Sequence, residues 1–356
     1  MISKSQTTYN QTSVAALFLL LAVGLGLLFL VNISLGAIDI PINEILAILF
    51  TGESKHESWI NIIEYIRVPR ALTAIIAGGA LAVGGLQMQT LFRNPLAGPS
   101  VLGISAGASL GVAVVMLAAG SATSIFAIQQ LGSLGSWLII GAASAGAGAV
   151  LLVILFISAR IRSHVTLLII GLMIGTMTIA LVSIWQYFSN PEQIQDYLIW
   201  TFGSLGGVFG TQLWILAGIA LLGSLLALAL SKSLNGLLLG ERYAQSMGFS
   251  IQRIRFFIIL SASLLAGGVT AFCGPIGFIG VAVPHLARSL FDTNDHRVLV
   301  PATLLAGATL MLVCDIVAQV PGSTSTLPIS AVTSLVGSPI VIWVIVRRRN
   351  LQKSFA

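Results

Sequence analysis

"VAALFLLLAVGLGLLFLV", residues Val14–Val31, contains no charged or hydrogen-bonding side chain. Eighteen residues in a helix rise about 27 Å, close to the ~30 Å of bilayer hydrocarbon. Lipid offers no partner to a backbone N–H or C=O, so such a run has to bond to itself as a helix. Similar runs recur along all 356 residues. The mean hydropathy is +1.00 and only 8% of residues are charged, where a soluble domain carries about 25%. A membrane barrel would alternate polar and apolar positions, and these runs do not. The fold class is therefore all-α: a polytopic helical membrane protein, one transmembrane domain over 1–356 with no soluble domain.

About ten spans are expected, at 13–33, 71–92, 100–119, 134–158, 164–188, 211–231, 254–273, 276–290, 298–320 and 328–346. The first exceeds the apolar core of a signal peptide and reads as an uncleaved span. Basic residues set the orientation. With the N-terminus inside, Lys4, Arg93, Arg160, Arg162, Lys232, Arg242, Arg253, Arg255, Arg288, Arg297, Arg347, Arg348, Arg349 and Lys353 all fall on the cytoplasmic side, 14 of the 17 basic residues. Lys55, Arg67 and Arg70 stay outside. Both termini are thus expected in the cytoplasm. The net charge of +6 is explained by this topology and does not signal nucleic-acid binding.

An internal repeat is suggested by small residues. Ala77–Gly79 recurs at Ala266–Gly268, Gly85 matches Gly274, Pro95 matches Pro284, and Ala106–Ala108 recurs at Ala306–Ala308. Spans 2–5 and 7–10 would then be inverted copies, a plan common in transporters. The 37 glycines, many at small-xxx-small spacing, read first as faces for close helix packing.

Enzyme chemistry finds no support. "GISAG" (Gly103–Gly107) fits a nucleophile-elbow pattern, but Ser105 falls inside an apolar helix with no acid–His partnership. The four histidines are scattered, and no Cys/His cluster has metal-ligand spacing. Cys273 and Cys314 lie in apolar segments and read as core residues. No lysine follows a glycine, so there is no P-loop. No catalytic residue, metal site or covalent cofactor is expected. Asp315 is the one acid inside an expected span. Its readings are a structural hydrogen bond to a neighbouring helix near the outer end of span 9, or a role in transport.

One polar interruption stands out. "LLLGERYAQSMGFSIQRIR" (Leu237–Arg255) lies between two apolar runs, within a cytoplasmic loop at 232–253. Gly240–Met247 can form two helical turns, with Tyr243, Ala244 and Met247 on one side and Glu241 and Gln245 on another. Gly248 is placed to stop that helix and Ser250 to cap the next. A short amphipathic helix on a bundle surface suits insertion into a partner's groove.

Four stretches together resemble one family. They are "RVPRALTAIIAGGALAVGGLQMQTLFRNPLAGPSVLGISAGASLG" (Arg67–Gly111), "LLLGERYAQSMG" (Leu237–Gly248), "GPIGFIGVAVPHLARSLFDTNDHRVLVPATLLAGA" (Gly274–Ala308) and "LPISAVTSLVGSPIVIWVIVRR" (Leu327–Arg348). Their order and spacing resemble the FecCD-type permease subunits of type II ABC importers, which take up iron chelates, haem and vitamin B12. The resemblance implies a homodimer in the bacterial inner membrane, two cytoplasmic ATPase subunits that use the ATP, and an extracytoplasmic substrate-binding protein. It implies a ferric siderophore as cargo, with haem or cobalamin as alternatives; an ion-coupled secondary carrier is the rival from another class.

By the same resemblance Leu239, Gly240, Glu241, Arg242, Ala244, Met247 and Gly248 would couple to the ATPase. Arg67 and Arg70 would dock the binding protein. Span 5, with Met173, Met177 and Trp185 and with Gly171 and Gly175 allowing bends, would flank the pathway. Relatives often carry an Arg where this chain has Gln319 and a Glu where it has Thr326. The docking charge is therefore expected to be thinner, with Lys55 or the acids of loop 34–66 (Asp39, Glu44, Glu53, Glu57, Glu64) in compensation.

Overall fold

The structure is a computed structural model that describes residues 11–118, 133–161, 163–319 and 326–352. Lys4, Arg162 and Lys353 of the expected inside set lie outside the described residues. Among the described residues the chain is helical, without strands.

Helix α1 (Gln11–Ser34) contains the opening apolar run. Two short helices follow, α2 (Ile42–Thr51) and α3 (Glu57–Ile62), and a π turn at Ile63–Arg67 carries α3 directly into α4 (Val68–Phe92). A 3-10 turn at Pro99–Leu102 precedes α5 (Ile104–Ala113). Then come α6 (Ser133–Arg160), α7 (His164–Phe188), α8 (Pro191–Thr201) and α9 (Thr211–Ala229). The polar interruption forms α10 (Ser231–Leu239) and α11 (Glu241–Ser246). The chain ends with α12 (Ile251–Cys273), α13 (Ile279–Phe291), α14 (His296–Ala318) and α15 (Ile329–Gln352).

Each of the ten expected spans falls on helical segments among the described residues. Among the described residues, seven segments are by themselves long and apolar enough to cross a bilayer: α1, α3–α4, α6, α7, α9, α12 and α14. Of the other three places, α15 is a 24-residue helix, α13 a 13-residue one, and α5 continues through a π turn to Ala118, where the described residues stop. A 13-residue helix such as α13 rises only about 20 Å. Irregular backbone precedes α5 and α13, in stretches containing Pro95, Pro99, Gly274 and Pro275. Such backbone is tolerated at membrane depth only where protein covers it. It is covered here: a Cβ on Gly280 would run into the Pro99 ring, and one on Gly85 into the Gly280 carbonyl.

The antiparallel pair α4 and α14 forms the hub. Contacts step evenly along it, from Arg70 with Asp315, through Gly78 with Gly307, to Thr90 with His296. Arg70 and Thr90 are twenty residues apart, about 30 Å of helix, so one polar pair closes each end of a membrane-length contact. Helix α12 lies antiparallel on the other side of α4, with Gln87 bonded to Ser261 at 3.0 Å and Gly84 against Leu265. Helix α1 packs on α14, and the Phe18 and Phe291 rings stand 4.8 Å apart.

The packing follows an exchange. Helix α4 packs on α14 as α12 packs on α6; α5 meets α6 and α7 as α13 meets α14 and α15; α4 touches α13 as α12 touches α5. Two four-helix units, α4–α7 and α12–α15, thus correspond pairwise, and their lead helices are antiparallel. Of the residue matches, Ala77–Gly79 and Ala266–Gly268 lie on the paired helices α4 and α12, and the other three do not follow this correspondence. Gly85 lies within α4, whereas Gly274 caps α12; Pro95 precedes α5, whereas Pro284 lies inside α13; Ala106–Ala108 belong to α5 and Ala306–Ala308 to α14. Small residues recur wherever helices touch, so their repetition carries no register.

Candidate functional site

The segment 231–250 is built around two glycines. Gly240 sits at φ +120 between α10 and α11, a region closed to side chains. Gly248, at φ +85, ends α11: its N–H bonds Gln245 O at 2.9 Å and the Phe249 N–H bonds Ala244 O at 3.1 Å. That paired pattern is a Schellman stop. Ser250 does precede α12, but its side chain makes no capping bond. Helix α11 is shorter than expected, and its faces differ too. Ala244 is fully buried against the body, while Leu239, Arg242, Tyr243, Gln245 and Met247 are exposed. Tyr243 and Met247 therefore share the outer edge without Ala244.

Two arginines hold this segment. Arg93, left-handed at φ +48 at the end of α4, donates Nη2 to Leu237 O at 2.8 Å, bonding a carbonyl in the last turn of α10. Arg255, buried in the first turns of α12, donates Nη2 to Glu241 Oε1 at 3.0 Å and Nη1 to Ile161 O at 2.7 Å. His164 Nδ1 stands 3.9 Å from the same carboxylate. Glu241 is thus an internal anchor, and Leu239, Tyr243 and Met247 form the free edge. Asn235 fastens α10 to α14, donating to Asp295 Oδ1 at 2.6 Å and accepting from His296 N at 2.9 Å. Burial alone would raise the Asp295 carboxyl, but bonds from the Arg297 N–H and the Asn235 amide bring it below the usual value.

The opposite end has its own polar cluster. Arg67 is buried and donates Nη1 to Ile33 O at 2.9 Å and Ser34 O at 3.0 Å, with Nη2 on Ile38 O. It satisfies carbonyls at the end of α1 that have no helical partner. Arg70 meets Asp315 through Nε and Nη2, at 3.0 and 2.8 Å. Asn32 and Gln319 each donate to Asp315 Oδ2 at 2.9 Å. Asp315 therefore has a basic partner, 245 residues away in sequence, which sequence inspection did not find. Neither arginine is presented outward as a free charge. Glu44 and Lys55 are similarly engaged with each other, 3.4 Å apart, and the Ser54 hydroxyl holds the Glu44 carboxyl below its usual range.

Met173 and Met177 lie exposed on one face of α7, while Trp185 is half-buried against the core. Helix α7 is continuous over His164–Phe188, through Gly171 and Gly175. They admit the turn before α5: a Cβ on Gly171 would stand 2.9 Å from Leu102 Cα, and one on Gly103 3.1 Å from Gly171 O. Beside this face a pocket of about 350 Å³ is lined by Ser105, Ser109, Thr178, Ser183, Gln186 and Tyr197. Ser105 Oγ is 3.1 Å from the Thr270 hydroxyl, so its place in "GISAG" is a packing role. Among the described residues no group of His, Cys, Asp or Glu could hold a metal ion.

The profile of the FecCD transport family matches residues 20–347. The chain belongs to the FecCD transport family. Curated relatives agree. The vitamin B12 import system permease protein BtuC of Klebsiella pneumoniae is 38% identical over 287 residues, 80% of this chain and 82% of that one. The hemin transport system permease protein HmuU of Yersinia pestis is 35% identical over 301 residues, 84% and 86%. A solved structure, described as an inward-facing metal-chelate type ABC transporter, superposes with a TM-score of 0.78 at 26% identity, covering 93% of this chain and 99% of its own. This FecCD chain is a multi-pass membrane permease, a transport subunit.

Of the site residues named from sequence, the FecCD fold brings Leu239, Glu241, Arg242, Met247 and Gly248 together at one end and Arg67 and Arg70 at the other. Arg93, Asn235, Arg255, Asp295 and His296, which fasten the first group, were not singled out. Their only sequence signal was being polar at the ends of apolar runs.

Proposed function

We propose that the chain is the permease of an ATP-driven type II importer that carries an iron chelate, a ferric siderophore, into the cytoplasm. Haem and cobalamin are the alternatives, and the names of the relatives favour them equally. Two copies would enclose the pathway, with α7 facing it. Two cytoplasmic ATPase subunits would use the ATP, and an extracytoplasmic binding protein would deliver cargo. The setting is the bacterial inner membrane, with both termini cytoplasmic.

The supporting observation is the apolar edge Leu239–Tyr243–Met247, exposed on a segment that Arg93 and Arg255 hold in place. A connecting loop needs neither such an edge nor such anchors. Met247→Asp is expected to weaken ATPase binding by about 2 kcal/mol or more, as loss of a central apolar anchor does, with membrane insertion unchanged. Co-purification of the ATPase measures it, and an unchanged ATPase yield would count against the docking role.

Asp315 does not favour the ion-coupled rival, because its oxygens are already taken by Arg70, Asn32 and Gln319. The deciding experiment reconstitutes the permease with its ATPase and a panel of loaded binding proteins. Stimulated ATP hydrolysis identifies the cargo. Uptake by the chain alone, without ATP, would refute the importer reading.

A further inference from the structure

The α11 segment is gripped from two sides, and the two grips lead to different parts of the bundle. Behind it, Arg93 belongs to α4 and holds Leu237 O. In front, the Arg255 guanidinium bonds Glu241 of α11 and Ile161 O, one residue past the end of α6. Gln252 Nε2 adds a bond to the last turn of α6, 2.8 Å to Ala159 O. His164, the first residue of α7, faces the same Glu241 carboxylate.

These attachments meet unequal resistance. In the α3–α4 span 83% of the most apolar stretch is buried, and Gly78 lies against the Gly307 backbone. Moving α4 would mean opening the hub. In α7 only 22% of the corresponding stretch is buried within the chain, so α7 can shift while the hub stays closed. Close-packed elements move as units and loosely covered ones yield. A displacement of α11 is thus resisted through Arg93 and passed on through Arg255.

We infer that Arg255 is a positioning residue that carries movement of α11 into the first turn of α7, with Arg93 as the fixed pivot. The inference rests on the importer reading above. Its physical basis is the guanidinium fork: two N–H groups set rigidly in one plane lock Glu241 and Ile161 to each other. A lysine ammonium has no such fork.

The test uses the full complex of permease, ATPase and binding protein in vesicles, with spin labels at Val165→Cys on the exposed start of α7 in both copies. The readouts for Arg255→Met are taken per ATPase subunit that stays bound, because Arg255 also holds the docking segment. Cargo moved per ATP falls about tenfold or more, within the usual size of inter-site coupling, and the ATP-dependent change in label distance disappears. Arg255→Lys shows the same pattern less strongly. The exchange Glu241→Arg with Arg255→Glu restores the ion pair but not transport, because a carboxylate cannot donate to Ile161 O.

Normal transport per ATP in Arg255→Met would overturn the inference, and so would rescue by the exchange. Should Arg255→Met fail to assemble, Arg255→Lys decides: assembly with unchanged transport per ATP overturns it. A wild-type complex without ATP-driven uptake would sink the importer reading instead.

Discussion

Asp315→Ala is expected to destabilise the protein by about 3–5 kcal/mol, the cost of breaking a buried pair and stranding the partner charge. Asp315 is fully buried, and its oxygens receive Arg70, Asn32 and Gln319. Removing the carboxylate leaves the half-buried guanidinium and two amides without their acceptor, next to the end of α1 that Arg67 secures. A pair of this kind joins α4 to α14 at one end of the hub, so its loss loosens both helices. The double variant Arg70→Met with Asp315→Leu should recover part of the loss, because it strands no charge. A double-mutant cycle on thermal unfolding of the purified complex reads the coupling directly. If Asp315→Ala unfolds within about 0.5 kcal/mol of wild type, the level of an ordinary surface change, the clamp is not structural.

Gly78→Val is expected to be as damaging, for a steric reason. A Cβ there would collide with the Gly307 carbonyl oxygen and stand 2.5 Å from Met311 Cβ, and Gly307 makes the reciprocal approach to Gly78 O. Overpacking a tight core costs about 1–3 kcal/mol and sometimes more. Here the obstacle is mainly backbone, which cannot rotate aside, so the effect belongs at the top of that range. The helices would have to separate, which strains the Arg70–Asp315 pair at one end and the Thr90–His296 pair at the other. Gly141 and Gly218 provide the comparison. Both lie in membrane helices with nothing within 4 Å of a built Cβ. Valine at either should leave folded yield and unfolding temperature near wild type, while Gly78→Val lowers both. Equal behaviour at the three sites would mean that the hub contact does not limit stability.

Both predictions concern partners that sequence reading did not supply. The small-residue face of α4 was legible as a packing surface, but the contact of Gly78 with Gly307 was not. A missing side chain shows that something comes close without showing what. The same gap affected the charges. Arg67 and Arg70 read naturally as outward docking groups, since basic residues at span ends usually face water or a partner. Here α1, α4 and α14 meet at that end, and both arginines make bonds within the chain. Glu241 read as part of an exposed helix face and proved to be the anchor, whereas Tyr243 and Met247 read correctly as an edge. The 3.6-residue period predicts which residues share a face but not which face the bundle covers.

The sequence by itself determined that the chain lives in lipid as helices, where its polar breaks fall, where α11 stops and which family it belongs to. Those properties follow from the transfer free energy of each stretch, from glycine's permitted backbone angles and from local motifs, all read within a few residues. Tertiary structure alone decided that Arg70 belongs to Asp315, that Gly78 lies against Gly307, and that Arg255 joins α11 to the Ile161 carbonyl just past α6. Each of these depends on which helices meet. That choice is made by shape and backbone approach across hundreds of residues, and lipid, equally apolar toward every helix, adds no preference of its own.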